Sequence, residues 1–289
     1  MLTDDERLSL IGLAMTRSIG PRLLDRLLAR FGTLGAVLSA SVEDLRTVQG
    51  IGPVIAGSIR RIDLRRLESE LARFESQGIA FATWQDSAYP PALLKLDDKP
   101  LVVFWKGAWQ WEADDCRAIA IVGTREAQPQ WARYAREYGK ALAQRGWLVV
   151  SGMARGIDSA GQRGALEGGG RTLAVLGCGV NVVYPPENHA LAKDIAANGA
   201  LLCEVHPDTS PSPNALTRRN RLITALSAAT LVIEAGGASG ALHAARCAHA
   251  QGRPVYAVDN SEGNAALLQD FAQPLPDDVD DLLADVMAR

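Results

Sequence analysis

Apolar positions recur every three to four residues over the first 75 positions, as in Leu23, Leu24, Leu27, Leu28 and Phe31, which predicts an all-helical segment. Thr3-Asp4-Asp5-Glu6 is a capping signal ahead of Leu8, Ile11 and Leu13, and Ser41 with Glu43 and Asp44 opens another short helix. An apolar-Gly-Pro element occurs twice, at Ile19-Gly20-Pro21 and Ile51-Gly52-Pro53, where glycine permits a tight hairpin and proline starts the next helix. From residue 76 the period changes. Strands are expected at Ile79–Trp84 and Leu101–Trp105, punctuated by Tyr89-Pro90-Pro91 and Lys99-Pro100. Trp105, Trp109 and Trp111 read as exposed, either stacking on bases or packing this linker onto its neighbour.

From Ala118 onward strand and helix alternate, with strands near 118–123, 147–151, 172–177, 200–205, 229–234 and 254–258. The intervening helices are long enough for crossovers, and apolar runs such as TLAVLG and ATLVIEAG imply burial on both faces. The pattern predicts a doubly wound α/β domain on a parallel sheet behind an N-terminal helical domain. Expected boundaries are 1–75 for the helical domain, 76–272 for the sheet domain and 273–289 for a C-terminal amphipathic helix around Asp277–Met287.

Ligands of such sheets sit at the carboxyl ends of the strands. Gly123, Thr124 and Arg125 follow the first strand, and Ser151, Gly152, Arg155, Gly156 and Asp158 the second. Tyr184 and Asn188 follow the third, beyond Gly177, Gly179 and Asn181. The fourth leads through Pro207–Pro213 to Arg218, Arg219, Asn220 and Arg221, and the fifth to Glu234, Gly236, Gly237, Ser239 and Gly240. Glycine turns and guanidinium forks at helix starts suit phosphates. The arginine run is expected to begin a helix over Thr217–Leu226, on which positions 219 and 221 point about 200° apart. Either the run starts non-helical, or one arginine grips a ligand while the other braces the loop. Asp158 is expected to cap a helix, and Glu234 to accept from loop N–H groups. No histidine stands beside a nucleophile and the carboxylates are scattered singly, so a polyanion holder without catalytic residues is expected rather than an enzyme.

A length of 289 residues accommodates one large and one small domain. A net charge of −3 argues against a wholesale nucleic-acid coat without excluding local patches. Of 30 basic residues 25 are arginine, a bias that either codon usage or selection for planar phosphate contacts produces. Cys116, Cys178, Cys203 and Cys247 form no CxxC pair, and Cys203, His206, His243 and Cys247 lack the spacing of a zinc site, so neither metal nor cofactor is expected. With no signal peptide and no apolar run of about 18 residues, a cytoplasmic protein without a membrane span is expected.

The segments IVGTR, SGMARGIDSAGQRGAL, VLGCGVNVVYPPEN, RRNRLITALS and EAGGASGALHAA, in this order, resemble the DNA processing protein A (DprA/Smf) family. The helical segment and YPPALLKLDDKPLVVFWKG resemble its preceding parts, so the likeness spans nearly the whole chain. The resemblance implies an extended Rossmann-like fold behind a sterile-alpha-motif-like domain, and a homodimer. It further implies a single-stranded-DNA-binding protein that protects incoming strands and loads the RecA recombinase in natural transformation and recombination. Arg125 and the arginines with Asn220 match the family's basic pocket. The expected DNA-contacting set is Gly123, Thr124, Arg125, Ser151, Gly152, Arg155, Gly156, Tyr184, Asn188, Arg218, Arg219, Asn220, Arg221, Ser239 and Gly240.

QGIGPVI at Gln49–Ile55 resembles a helix-hairpin-helix motif, whose loop N–H groups grip DNA phosphates; a plain helical bundle or protein-docking platform fits the same residues. The chain departs from the family pattern at Gly161-Gln162, Leu216, His243 and Val258-Asp259-Asn260, and no C-terminal winged-helix module is expected. Two other readings remain. EAGGASGALHAA echoes the PGGxGTxxE signature of phosphoribohydrolases, but the glutamate position falls on His243 or Ala244. An adaptor that meets partners through its helical domain is the third.

Overall fold

The computed structural model describes residues 3–16, 19–107, 109 and 117–289, which fall into two compact units. The smaller runs to Phe104 and includes Glu204–His206; the larger comprises Trp105–Cys203 and Pro207–Arg289. Trp111 and Cys116 lie outside the described residues.

In the smaller unit, α1 (Asp4–Met15) opens with a complete capping box. The Thr3 hydroxyl accepts from Glu6 N–H, and the Glu6 carboxylate accepts from Thr3 N–H at 2.9 Å. It is followed by α2 (Pro21–Phe31), α3 (Leu34–Ser39), α4 (Val42–Arg46), α5 (Pro53–Arg60) and α6 (Leu64–Ser76). Both apolar-Gly-Pro elements act as anticipated: Gly20 and Gly52 are N-caps, and Pro21 and Pro53 begin α2 and α5. Leu10, Leu13, Leu27, Val37, Leu45 and Ile59 form the centre of its core. Each contributes about 1.5–3 kcal/mol by leaving water, which short helices in isolation lack. The unit continues through β1 (Ile79–Thr83) into β2 (Val102–Lys106), within which the boundary falls. Trp105 and Trp109 are buried, contrary to the exposed placement expected. Arg171 lies over the Trp109 ring, 4.8 Å from its centroid, so these aromatics serve packing.

The larger unit alternates β3 (Ala118–Val122), α7 (Pro129–Gln144), β4 (Leu148–Ser151), α8 (Ile157–Glu167), β5 (Thr172–Val175), α9 (His189–Asn198) and β6 (Gly199–Cys203). It continues with α10 (Pro213–Arg218), α11 (Asn220–Ala225), β7 (Ala229–Val232), α12 (Gly240–Ala250), β8 (Val255–Ala257), α13 (Glu262–Asp270), β9 (Gln273–Pro274) and α14 (Val279–Met287). Its strands lie in the order β6-β5-β4-β3-β7-β8-β9, all pairs parallel. This is the doubly wound arrangement expected. Ala120 pairs with Val150 on one side and Thr230 on the other, and every residue of β3 is buried. The order in which strands are added reverses between β3 and β7, the place where such sheets open a crevice.

Two elements differ from expectation. β9 has only two residues, too few for a periodic signal. The helix expected over Thr217–Leu226 is two helices, because Ser212 caps the chain at Pro213 and the first helix ends at Arg219. Beyond β7, Asn264 ties α13 to the sheet: its fully buried amide donates to the carbonyls of Val232 (3.0 Å) and Val258 (2.8 Å). Asn264→Ala strands these acceptors in the core and is expected to cost about 1–3 kcal/mol, read as a lower denaturation midpoint.

Candidate functional site

The loop after β3 and the loop leading into α12 face each other across a cleft of about 460 Å³ at the switch point of the larger unit. Gly123, Thr124, Arg125 and Glu126 form one wall, and Gly236 to Gly240 the other. Leu216, Thr217, Arg219 and Asn220, from α10 and α11, close a third side. Thr124 N–H donates to the Glu234 carbonyl (2.7 Å), while the Glu234 carboxylate accepts from Gln128 N–H (3.0 Å), the role anticipated for it. Asn220 donates from its side-chain amide to the Gly240 carbonyl (3.0 Å), fixing α11 to the start of α12.

Two features of this cleft suit an anion. The N–H groups of Gly237, Ala238 and Gly240, at the positive end of α12, donate to no protein acceptor among the described residues. Arg125 is exposed and makes no hydrogen bond or ion pair among the described residues.

The turn after β4 is arranged otherwise. Asp158 does not cap α8. Gly156 holds the cap position at φ +71°, where a Cβ would lie 2.3 Å from the Thr124 carbonyl oxygen. Asp158 instead sits in the first turn of α8, where its buried carboxylate accepts from Gly152 N–H (3.2 Å) and the amides of Ala154 and Gly123 also favour its charged form. Its oxygen stands 4.0 Å from the Arg219 guanidinium. The glycine-turn amides expected to meet a phosphate thus already hold an anion of the protein's own. Burial pushes the Asp158 carboxyl above its ordinary range, against the pull of Arg219 and the three amides; burial likewise lowers Arg219.

Arg219 is only 4% exposed; it donates to the carbonyls of Val175 and Leu216, and packs so tightly that a Cβ on Gly152 would meet its guanidinium at 1.7 Å. It lines the cleft as a strut. Arg221 is half-buried on α11, and Arg218 is exposed at the end of α10; neither lines the cleft.

A second, shallower hollow adjoins the first through Arg125, Ala154, Leu216 and Arg219. Gly152, Arg155, Tyr184 and Pro185 complete it. The exposed Arg155 is ion-paired with Glu187. Asn188 is buried beneath, donating to the Met153 carbonyl (2.9 Å), and Ser151 donates to the Ile121 carbonyl (2.6 Å). Ser151, Gly156 and Asn188 therefore shape the turns without lining either hollow. Ala154, which lines both hollows, escaped the sequence reading, since nothing marks a small apolar residue as part of a binding wall; Leu216, noted there only as a departure from the family pattern, lines both as well.

At the positions where a phosphoribohydrolase signature would place glutamate, Ala244 lines the cleft and His243 is exposed, its Nδ1 3.5 Å from Cys247 Sγ. Among the described residues, no group of three or more His, Cys, Asp or Glu side chains is placed to hold a metal, and no helix is long and apolar enough to cross a membrane.

Residues 80–287 match the model of a family described as DNA recombination-mediator protein A. The chain belongs to that family. Residues 10–62 match a helix-hairpin-helix motif. The chain is 33% identical over 264 residues to Protein Smf of Synechocystis, covering 90% of this chain and 66% of that one. It is 35% identical over 196 residues to DNA processing protein DprA of Bacillus subtilis, covering 68% and 66%. Against Protein Smf of Escherichia coli, at 37% identity, it spans 53% of the relative. The chain thus spans about half to two thirds of the length of these curated relatives. The crystal structure of DNA processing protein A from Streptococcus pneumoniae superposes with a TM-score of 0.77 at 27% identity, covering 98% of each chain. A solved structure of DNA processing protein A from Helicobacter pylori, described as giving insight into its single-stranded DNA binding mode, superposes with a TM-score of 0.63 at 27% identity over 72% of this chain and 96% of that one.

Arg219→Ala leaves a buried carboxylate with no cation beside it and is expected to cost about 3–5 kcal/mol at neutral pH. Without Arg219 the folded-state pKa of Asp158 rises further above its unfolded value. Protonation then favours the folded state, so the loss shrinks as pH falls towards the unfolded carboxylate range. Denaturation midpoints at several pH values check the sign.

Proposed function

We propose that this chain binds single-stranded DNA in the cleft of its larger unit, laying backbone phosphates between Arg125 and the first amides of α12. The observation that carries this is Arg125: an exposed guanidinium with no partner among the described residues, facing N–H groups that also lack acceptors. Each phosphate held this way gains charge-assisted hydrogen bonds from a fixed fork and from fixed backbone. Such contacts carry no sequence information, so binding is indifferent to base sequence. The Helicobacter pylori relative, with its single-stranded DNA binding mode, supports the same reading.

The family's description as a recombination mediator supports a protein that binds and hands over strands rather than one that cleaves them. In this reading the chain protects incoming single strands and loads RecA onto them, working as a homodimer. Around Arg125, the cleft holds Gly123, Thr124, Ser239 and Gly240 as contacts, and Arg155 and Tyr184 extend the path.

Affinity for a single-stranded oligonucleotide is expected to fall with log salt at a slope of about −0.7 per phosphate neutralised. A flat salt response overturns the phosphate cleft. Arg125→Ala is expected to weaken binding by about 1.5–3 kcal/mol, the worth of a charged hydrogen bond, with an unchanged melting profile. Light scattering is expected to report twice the chain mass of 30.9 kDa. Incubation with nucleoside monophosphates is expected to release no free base; release would assign the cleft to the phosphoribohydrolase reading.

A further inference from the structure

The two adjoining hollows differ in kind. The cleft beside α12 offers free amides and an unpaired cation. The other hollow offers the Tyr184 ring, 37% exposed, with Pro185, Ala154 and Leu216 around it. Its charges are already matched: Arg155 is paired with Glu187, and Arg219 is buried against Asp158 and the Val175 carbonyl. Only Arg125, which lines both hollows, brings an unpaired charge to it. A phosphate placed there would meet the Glu187 carboxylate beside Arg155. A flat, uncharged heteroaromatic ring would meet an exposed aromatic side chain in a hollow that arginines also line.

From this contrast, and resting on the single-stranded DNA reading above, we infer that Tyr184 is the stacking platform for one nucleobase, adjacent to the phosphate held by Arg125. The hollow is small, about 30 Å³, far below the several hundred Å³ of a pocket that encloses a ligand. A base therefore lies upon Tyr184 and is not enclosed. Every base has a π-face, so such a platform adds affinity without selecting sequence.

The segment that carries Tyr184 is pinned on both sides of it. Asn181 N–H donates to the Pro207 carbonyl (3.0 Å), Gly179 N–H to the Thr209 carbonyl (2.9 Å), and Cys178 S–H to the Val182 carbonyl (3.2 Å). On the far side, Asn188 fastens the segment to Met153 in the turn after β4. Pinning the flanking backbone beforehand lowers the ordering cost of binding.

The test compares the full chain with Tyr184→Ala and Tyr184→Phe on a short oligothymidylate and on its abasic counterpart of equal length and charge. Wild type is expected to bind the base-bearing strand on the order of tenfold more tightly than the abasic one. Tyr184→Ala is expected to lose that advantage while keeping wild-type affinity for the abasic strand, and Tyr184→Phe to retain it. Equal binding of both strands by wild type, or an advantage that survives Tyr184→Ala, overturns the platform and leaves the phosphate cleft standing. Loss by Tyr184→Ala on both strands alike assigns Tyr184 a structural role and overturns it too. No binding of either strand by wild type removes the single-stranded DNA reading itself.

Discussion

The site is organised by one buried interaction, the carboxylate of Asp158 held among three backbone amides and facing Arg219. It draws together the turns after β3 and β4, the first turn of α8, the junction of α10 and α11 and, through Arg219, the end of β5. Removing two charges from water is expensive, and well-packed apolar residues would serve stability as well or better. What the pair supplies is position. With Arg219 drawn inward, Arg125 is the cation that remains exposed at the point where the two hollows meet.

Much of this architecture was legible in the chain. Strand and helix alternate at spacings that periodicity reveals, and Thr3, Ser41, Gly20-Pro21 and Gly52-Pro53 mark helix starts through local chemistry alone. The collecting edge was legible too, since residues after each parallel strand must land on one side of the sheet. What could not be read is which of several identical groups faces inward. Arg218, Arg219 and Arg221 lie within four residues, yet only Arg219 is fully buried, because the helix breaks at that residue. Asp158 looked like a helix cap, since a capping carboxylate and a loop-filling one have the same signature. The difference lies in Gly123, 35 positions upstream. The tryptophans misled for the same reason: bulk near prolines says that a ring will pack, not which surface it will cover.

The division between an open, amide-lined cleft and a charge-matched aromatic hollow follows from how each loop spends its backbone groups. The turn after β4 satisfies its own amides with Asp158 and packs its glycine against Arg219. The loop into α12 leaves Gly236 and Gly240 with nothing within 4 Å of a would-be Cβ. Two loops of similar composition therefore have opposite duties, one holding the structure together and the other kept open. Glycine content alone does not distinguish them.

The pairing of Arg155 with Glu187 bears on the ion atmosphere of the groove. An arginine that neutralises a phosphate frees a cation condensed on the polyanion, and the dispersal of such ions drives association at low salt. Arg155 brings a tethered counterion in place of a mobile one. Its charge is already offset by a carboxylate that stays on the protein, so on the proposed reading a phosphate passing beside it would be neutralised less completely and keep more of its own ions. On that reading the count of ions released would fall short of the count of arginines along the proposed path. On the same reading, the affinity left at elevated ionic strength would come from contacts that do not depend on released ions, the fixed amides and the proposed ring platform.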